Sequence, residues 1–244
     1  MIKIKNTKEK YTIDPINAII NNDEITSGTY GKEIDYQASY NKMKRYGQYN
    51  ETLTVLKEAK PTISIEDNYD KYLIKGNTKK RNIALLFKIQ EDKNVTNLLN
   101  LLEEKDIKVT FFIDGKLLEN NLNMIKKLSN HQIEILSYDN KVDDVLLKTS
   151  TSYLETIINK KPQYCYTEKD NEKLLNICKK NKLHTIKPSI IINNNIYEEI
   201  KKSIEKNIVI TINEYQIKDL SYAIDYLKSK GYSIVTISEL FNEN

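Results

Sequence analysis

The sequence predicts an α/β protein in which a distorted parallel (β/α) barrel follows a small N-terminal α+β unit. Three observations predict this class. Residues 83–87 form an apolar run of the length of a buried strand. Val95, Leu98, Leu99 and Leu102 then recur with the i, i+3, i+4, i+7 spacing of an amphipathic helix. A second apolar run at 109–113 follows, so this stretch reads as a strand–helix–strand unit with parallel, buried strands.

The same alternation repeats along the C-terminal two thirds of the chain. We predict strands at 82–87, 108–113, 133–138, 163–166, 183–187, 207–212 and 233–237. Helices are predicted between and after them at 94–104, 116–129, 143–159, 170–181, 196–206 and 216–230. Seven units of this kind favour a closed or nearly closed parallel barrel.

The N-terminal third does not follow this rhythm. Asp35 is expected to cap a helix over 36–46 that ends at Gly47. We therefore assign 1–79 to a small α+β unit and 80–244 to the barrel. Short strands are predicted in the first unit at 2–4, 11–13, 53–56 and 72–74. Its tyrosines could form a sugar-stacking surface, although we expect them to be core or half-buried residues: Tyr30, Tyr36, Tyr40, Tyr46, Tyr49, Tyr69 and Tyr72.

Composition narrows the classes of partner. The 244 residues include 38 basic and 34 acidic side chains, a net charge of +4, and the two signs are interspersed. This pattern argues against a nucleic-acid partner. No apolar run approaches the ~20 residues that span a bilayer, and the first residues show no signal-peptide pattern. Two cysteines are too few for a disulfide framework, so we expect Cys165 and Cys178 to be free buried thiols.

Three segments resemble the polysaccharide deacetylase (NodB-homology, carbohydrate esterase family four) domain. Residues 109–115, V-T-F-F-I-D-G, are similar to the family's A-T-F-F-x-x-G, and 226–240 are similar to its closing L-K-x-K-G-Y-x-F-V-T-L-S-E-L. Residues 86–90, L-F-K-I-Q, stand where the family has T-F-D-D-G. The resemblance covers about 80–244 and implies the family's distorted barrel.

The resemblance also implies a catalytic site whose residues have been replaced. In the family, one Asp and two His hold a divalent metal that activates water, and a second Asp acts as the general base. The reaction is hydrolysis of an N-acetyl group. The chain has only two histidines, His131 and His184, far apart in sequence. The resemblance therefore implies no catalytic residue and no metal or other cofactor. The vestigial positions are Lys88 and Ile89 for the aspartates, Tyr138 and Val142 for the histidines, Tyr166 in the Arg-rich motif and Asn213 for a late histidine.

Lys88 would place a cation where the metal should lie, which argues against a divalent ion. We expect Glu214 to pair with Lys88 there. A rewired acid–base pair is the less favoured alternative, because no spacing singles out two of the nearby carboxylates. Those carboxylates are Glu91, Asp92, Asp139, Asp143, Asp144, Glu168 and Glu214.

The predicted function is that of a catalytically inactive relative with a glycan-binding or scaffolding role at a bacterial cell envelope. The expected partner is peptidoglycan, another N-acetylglucosamine-containing glycan or an envelope protein, and the expected location is the envelope or the extracellular space. The alternative is an active deacetylase of N-acetyl amino sugars with non-standard catalytic residues. The predicted binding residues are Lys88, Tyr138, Tyr166, Glu168, Asn213 and Glu214.

Overall fold

The computed structural model describes residues 2–77, 81–91, 95–139 and 141–244. Within these ranges the strands are β1 (Ile19–Asn21), β2 (Glu24–Thr26), β3 (Gly31–Ile34), β4 (Leu56–Ala59), β5 (Tyr72–Lys75), β6 (Asn82–Ile89), β7 (Thr110–Asp114), β8 (Gln132–Ser137), β9 (Tyr164–Tyr166), β10 (His184–Ile186), β11 (Ile190–Ile192), β12 (Ile208–Ile212) and β13 (Ser233–Val235). The helices are α1 (Ile2–Lys5), α2 (Lys8–Tyr11), α3 (Tyr36–Arg45), α4 (Val95–Glu104), α5 (Gly115–Asn120), α6 (Leu122–Leu128), α7 (Asp144–Ile158), α8 (Glu172–Lys180), α9 (Ile196–Ser203), α10 (Ile217–Ser229) and α11 (Ile237–Leu240).

The large sheet is nearly closed into a barrel. Strands β6, β7 and β8 pair in parallel, and β12 pairs in parallel with the other edge of β6. Strand β9 pairs with β10 and β10 with β5, which meets β12 in one antiparallel pair, Lys75 with Ile208. Among the described strands no ladder joins β8 to β9. The predicted distorted parallel barrel is therefore confirmed.

A buried carboxylate spans the opening between β8 and β9. The Glu134 side chain accepts hydrogen bonds from the backbone N–H groups of Gln163 at 2.8 Å and Tyr164 at 3.0 Å, and from the Gln132 amide at 2.7 Å. Burial raises the pKa of Glu134 to about 7, although these donors oppose the shift. Glu134 thus replaces the missing backbone ladder with side-chain hydrogen bonds.

Side chains alternate between the inside of the barrel and the layer of helices, as strand geometry requires. On β6, Ala84 and Leu86 belong to the inner cluster with Phe112. Leu85 and Phe87 belong to the outer cluster, which packs against the helices. Lys88 follows Leu86 by two residues, so the alternation places it on the inner side at the carboxyl end of β6.

All seven predicted barrel strands are present, and the predicted helix over 116–129 is divided at Asn121 into α5 and α6. The helix capped by Asp35 is confirmed, since its side chain accepts from the Ala38 N–H at 2.8 Å. The strand predicted at 2–4 was wrong, because helix α1 covers it, and the one predicted at 11–13 is reduced to an isolated bridge of Ile13 with Lys32 after α2 ends at Tyr11. Short apolar–polar alternation fits either structure, and here the apolar side chain of Ile4 packs with Ile34.

The N-terminal third is tied to the barrel. Strands β1, β2 and β5 extend the large sheet, whereas β3 and β4 form a separate antiparallel pair with α3 between them in the chain. The strand predicted at 53–56 begins only at Leu56, because a short 3-10 helix (Glu51–Leu53) precedes it. Buried Glu243 accepts hydrogen bonds from Gly28 and Ser64. The predicted division falls on residues outside those described and stays a prediction.

The expectation of two free thiols was wrong. Cys165 of β9 and Cys178 of α8 form a disulfide, which fixes this helix against the barrel. Spacing alone gave no signal for it, because only the fold brings the two positions together. No helix in the described part of the chain is long and apolar enough to cross a membrane.

Candidate functional site

The vestigial positions lie at the carboxyl ends of the barrel strands. Lys88 is the next-to-last residue of β6, Tyr166 ends β9, and Asn213 directly follows β12. Strands β6 and β12 are parallel neighbours, and Lys88 of β6 contacts Tyr166 of β9, so these ends lie at one mouth of the barrel. We call this the carboxyl mouth. Tyr138 directly follows β8 at the same mouth.

An ion pair occupies the position of the family's first motif. The Lys88 ammonium bonds the Glu168 carboxylate, and it lies 5.7 Å above the ring centroid of Tyr166. The Lys88 side chain is 19% exposed and that of Glu168 is 43% exposed. The predicted pairing of Lys88 with Glu214 was therefore wrong. Glu168 follows Tyr166 by two residues and reaches the same side of the sheet.

Tyr166 forms the floor beneath this pair. Its ring is 6% exposed and packs against Phe112, with ring centroids 5.5 Å apart. Its hydroxyl lies near that of Thr211, but neither hydroxyl makes a hydrogen bond of good geometry within the described chain. Burial is the main cause that raises the pKa of Tyr166. The phenol therefore stays protonated at neutral pH.

Tyr138 turns away from this pair. The β7–β8 register slips between Ile113 and Asp114, so that Asp114 faces Ser137. The Tyr138 hydroxyl donates to the Glu119 carboxylate at 2.9 Å, on helix α5. This hydrogen bond is the main cause that raises the pKa of Tyr138. A methyl group on Gly115 would lie 2.9 Å from the Tyr138 ring, so the lack of a side chain there admits the ring.

Asn213 and Glu214 line a different part of the carboxyl mouth. The Asn213 amide donates to the Asn193 side-chain oxygen at 2.7 Å. Glu214 lines a cavity of about 370 Å³ together with three asparagines that follow β11 and with Asp219. Asp219 accepts from the backbone N–H of Ile196 at 2.6 Å and so caps helix α9. This cavity is rich in amide donors and acceptors.

The two remaining vestigial positions are apolar and pack outward. Ile89 is 3% exposed and belongs to the outer cluster, and Val142 packs against the same cluster. Neither can contribute a ligand or a proton.

The carboxylates considered for a rewired acid–base pair serve separate partners. Asp139 pairs with Lys116 at 3.1 Å, and Asp144 bonds Lys180 at 2.5 Å. Asp143 accepts from the Val145 N–H at 2.9 Å and caps helix α7. Asp92 lies outside the described residues. The hydrogen bonds described for Asp139, Asp143 and Asp144 do not join any two of these three as an acid and a base.

Asp114 is a carboxylate at this mouth that the sequence reasoning did not single out. It is 6% exposed and accepts from the Ser137 hydroxyl at 2.7 Å and from the Asp139 N–H at 3.0 Å. It also accepts from the Lys116 N–H at 3.1 Å and caps helix α5. Its position directly after the apolar run 109–113 was the sequence signal that could have placed it at this mouth. These donors give Asp114 a structural role that joins β7 to β8.

The residues at the carboxyl mouth do not fit the metal that the family uses. The residues that the resemblance aligns on the family's carboxylate and imidazole ligands are Lys88, Ile89, Tyr138 and Val142, and Lys88 brings a positive charge. The described residues contain no group of three His, Cys, Asp or Glu side chains able to hold a metal ion. His184 begins β10 and His131 precedes β8, so both lie at the amino ends of the strands.

Comparison with known proteins agrees with this fold. Uncharacterized protein YlxY of Bacillus subtilis (strain 168) is 24% identical and covers 96% of this chain and 81% of its own length. The crystal structure of BA3943, a CE4 family pseudoenzyme from Bacillus anthracis, superposes with a TM-score of 0.73 at 22% identity, covering 99% of this chain and 94% of that one.

A relative described as an esterase shares the barrel. PdaA of Bacillus subtilis, a family 4 carbohydrate esterase, gives a TM-score of 0.61 at 23% identity over 72% of this chain and 87% of that one. The sequence profile described as polysaccharide deacetylase matches residues 75–203, more than half of the chain. The chain belongs to the polysaccharide deacetylase family.

Proposed function

We propose that this chain is a catalytically inactive polysaccharide-deacetylase-like protein that binds glycan at a bacterial cell envelope. The observation that carries the proposal is the Lys88–Glu168 ion pair above Tyr166, at the strand end where the family has its aspartates. A protonated lysine offers only donors, so it cannot take a proton from water. Glu168 is already engaged by this lysine.

The similar proteins support the proposal that this chain lacks deacetylase activity. BA3943 is described as a pseudoenzyme, and a mutant of it with restored enzymatic activity superposes on this chain with a TM-score of 0.75. A barrel of this family can therefore keep its fold after losing its chemistry. An active deacetylase with non-standard residues is the other function that the resemblance permits, and no contact at the carboxyl mouth favours it.

Glycan binding is assigned to the carboxyl mouth, with different tasks for the predicted residues. Lys88, Glu168, Asn213 and Glu214 present charged and amide groups that can bond hydroxyl or acetamido groups. Tyr138 supplies the aromatic surface at the rim, whereas buried Tyr166 supports Lys88 from below. A few contacts of about 0.5–1.5 kcal/mol each imply roughly millimolar affinity for short oligomers. A polymeric glycan offers many copies and compensates for weak single sites.

The disulfide supports the proposed location. The Cys165–Cys178 bond is of a kind that persists in oxidising surroundings, such as those outside the bacterial cytoplasm. Peptidoglycan is the abundant N-acetylglucosamine-containing polymer there, and an envelope protein is the other partner in keeping with a scaffolding role.

The glycan assignment is tested by cosedimentation with insoluble peptidoglycan or chitin. We expect the unaltered chain to be retained and the double variant Tyr138→Ala, Glu214→Gln to lose most of its retention. Tyr222→Ala is the matched control, because this tyrosine is 54% exposed on α10 and lies outside the proposed site. Equal retention of the double variant and the control would show that the carboxyl mouth is not the binding surface.

A further inference from the structure

The opposite end of the barrel contains a second cavity. It has a volume of about 550 Å³, and its wall includes Tyr69, Gln163 and His184. Gln163 precedes β9 and His184 begins β10, so the cavity opens at the amino ends of the strands. We call this end the amino mouth. Strand β9 runs from Tyr164 in this wall to Tyr166 beneath Lys88, which separates the cavity from the proposed glycan site.

His184 is a buried polar side chain in this wall. It is 9% exposed, and the hydrogen bond described for this residue is that of its backbone N–H with the Gln163 carbonyl. The imidazole stacks on Tyr69 with ring centroids 4.2 Å apart and an angle of 13° between the rings. Burial lowers the pKa of His184 to about 4, so the neutral ring carries one donor and one acceptor at pH 7. The ring lines the cavity, so a ligand there can bond the ring nitrogens.

Among the charged side chains of the wall, those without an ion-pair partner in the described residues are positive. Lys161 and Lys182 line the cavity, and neither forms an ion pair with another described residue. The carboxylates of the wall are already occupied. Glu66 pairs with Lys60 at 3.1 Å, and Glu243 bonds Gly28 and Ser64. The wall thus combines a flat aromatic ring, neutral hydrogen-bonding groups and two lysines that no described carboxylate pairs.

We propose that the amino mouth binds an acidic saccharide of one or two sugar rings. The Tyr69 ring would contact the apolar face of a sugar, and His184 with the Gln163 amide would bond its hydroxyl groups. Lys161 and Lys182 would attract its carboxylate. The volume lies within the ~300–1,000 Å³ range of small-ligand sites. This site goes beyond the glycan binding assigned to the carboxyl mouth, and two sites on one barrel would hold a polymer more firmly than either alone.

The experiment is an NMR titration of the full chain with D-glucuronic acid, D-glucose and acetate as separate probes. Glucuronic acid should shift the signals of His184 and Tyr69 with roughly millimolar affinity. Glucose, which lacks the carboxylate, should bind about tenfold more weakly, and acetate, which lacks the ring, should leave these signals unmoved at the same concentrations.

Variants assign the contacts. Lys161→Gln with Lys182→Gln should weaken glucuronic acid binding about tenfold and leave glucose binding unchanged. His184→Phe, which keeps a ring against Tyr69, should weaken both sugars. The control Lys126→Gln with Lys127→Gln removes the same charge from the end of α6 and should change neither. The proposal is overturned if glucuronic acid shifts no signal of the cavity, if acetate shifts them equally, or if the control lowers affinity as much as the cavity lysines do.

Discussion

The two mouths of the barrel use their charged groups in opposite ways. At the carboxyl mouth the Lys88–Glu168 pair is partly open to water, with Glu168 43% exposed. At the amino mouth Glu134 is 2% exposed and bonds the backbone of β9. An exposed pair contributes little to stability, whereas a buried acceptor that serves several donors is costly to remove.

This difference separates a carboxylate that joins two strands from an ion pair that joins none. Glu134 bonds the backbone of β9 from β8, two strands that no ladder joins in the described part of the chain, so we expect its removal to weaken the barrel. Lys88, which the resemblance aligns on a catalytic aspartate of the family, pairs with Glu168, and the described hydrogen bonds of this pair do not join strands. We therefore expect substitution of Glu134 to lower the free energy of unfolding more than substitution of Lys88 or Glu168 does.

The largest expected effect is that of Glu134→Ala. The substitution leaves the buried N–H groups of Gln163 and Tyr164 without their acceptor, and each such group costs about 1–3 kcal/mol. We expect the free energy of unfolding to fall by about 3 kcal/mol or more, measured by urea denaturation at pH 6.

The matched control is the same chemical change at the other mouth, Glu168→Ala. It should cost less than about 1 kcal/mol, because Lys88 can then be solvated. Equal losses in the two variants would contradict the proposed difference between the mouths.

A second comparison uses pH, because Glu134 and His184 have opposite shifts. The folded pKa of Glu134 is raised from 4.5 to about 7, so its contribution is complete below pH 4.5 and is lost as pH rises toward 7. The folded pKa of His184 is lowered from 6.5 to about 4, so its contribution is present above pH 6.5 and is lost as pH falls toward 4. Between pH 4.5 and 6.5 the two contributions oppose each other, each by up to about 1.4 kcal/mol per pH unit.

Single variants should expose each slope. In Glu134→Gln, the free energy of unfolding should rise more steeply from pH 4.5 to 6.5 than in the unaltered chain. In His184→Phe, the free energy of unfolding should fall over the same range. The pKa of His131 is also lowered, mainly by burial, and this contribution is common to all three proteins. Urea denaturation at pH 4.5, 5.5 and 6.5 measures the slopes. Parallel plots of the free energy of unfolding against pH for all three proteins would contradict the opposite pKa shifts of Glu134 and His184.

The sequence was sufficient for the barrel but not for the contacts at its mouth. Long apolar runs and regular helix spacing predict seven strands, since burial on both faces leaves a strong signal. The partner of Lys88 depends on which loop side chain reaches it. Glu168 reaches it because a residue two positions after Tyr166 lies on the same side of the sheet. Tyr138 turns outward because the β7–β8 register slips by a residue, and such irregularities leave no trace in hydrophobic periodicity.

The smallest expected effect concerns the Lys88–Glu168 pair itself. A double-mutant cycle with Lys88→Met and Glu168→Gln should give a coupling energy below about 1 kcal/mol, since one partner is well solvated. The cycle Lys116→Met with Asp139→Asn, at a pair that is exposed on both sides, is the control and should give a similar value. A coupling of several kcal/mol at Lys88 would mean that the pair has become a structural element of the barrel.

The central claim is that the carboxyl mouth has lost its metal chemistry, and one measurement on the purified chain tests it directly. The protein is incubated with Zn²⁺, Co²⁺ or Ni²⁺, freed of unbound metal, analysed for bound metal and assayed for acetate released from N-acetylglucosamine oligomers. The account predicts far less than one metal ion per chain and no acetate above the protein-free control. A stoichiometric metal ion that is lost in a Glu168→Gln variant, together with acetate release, would contradict it.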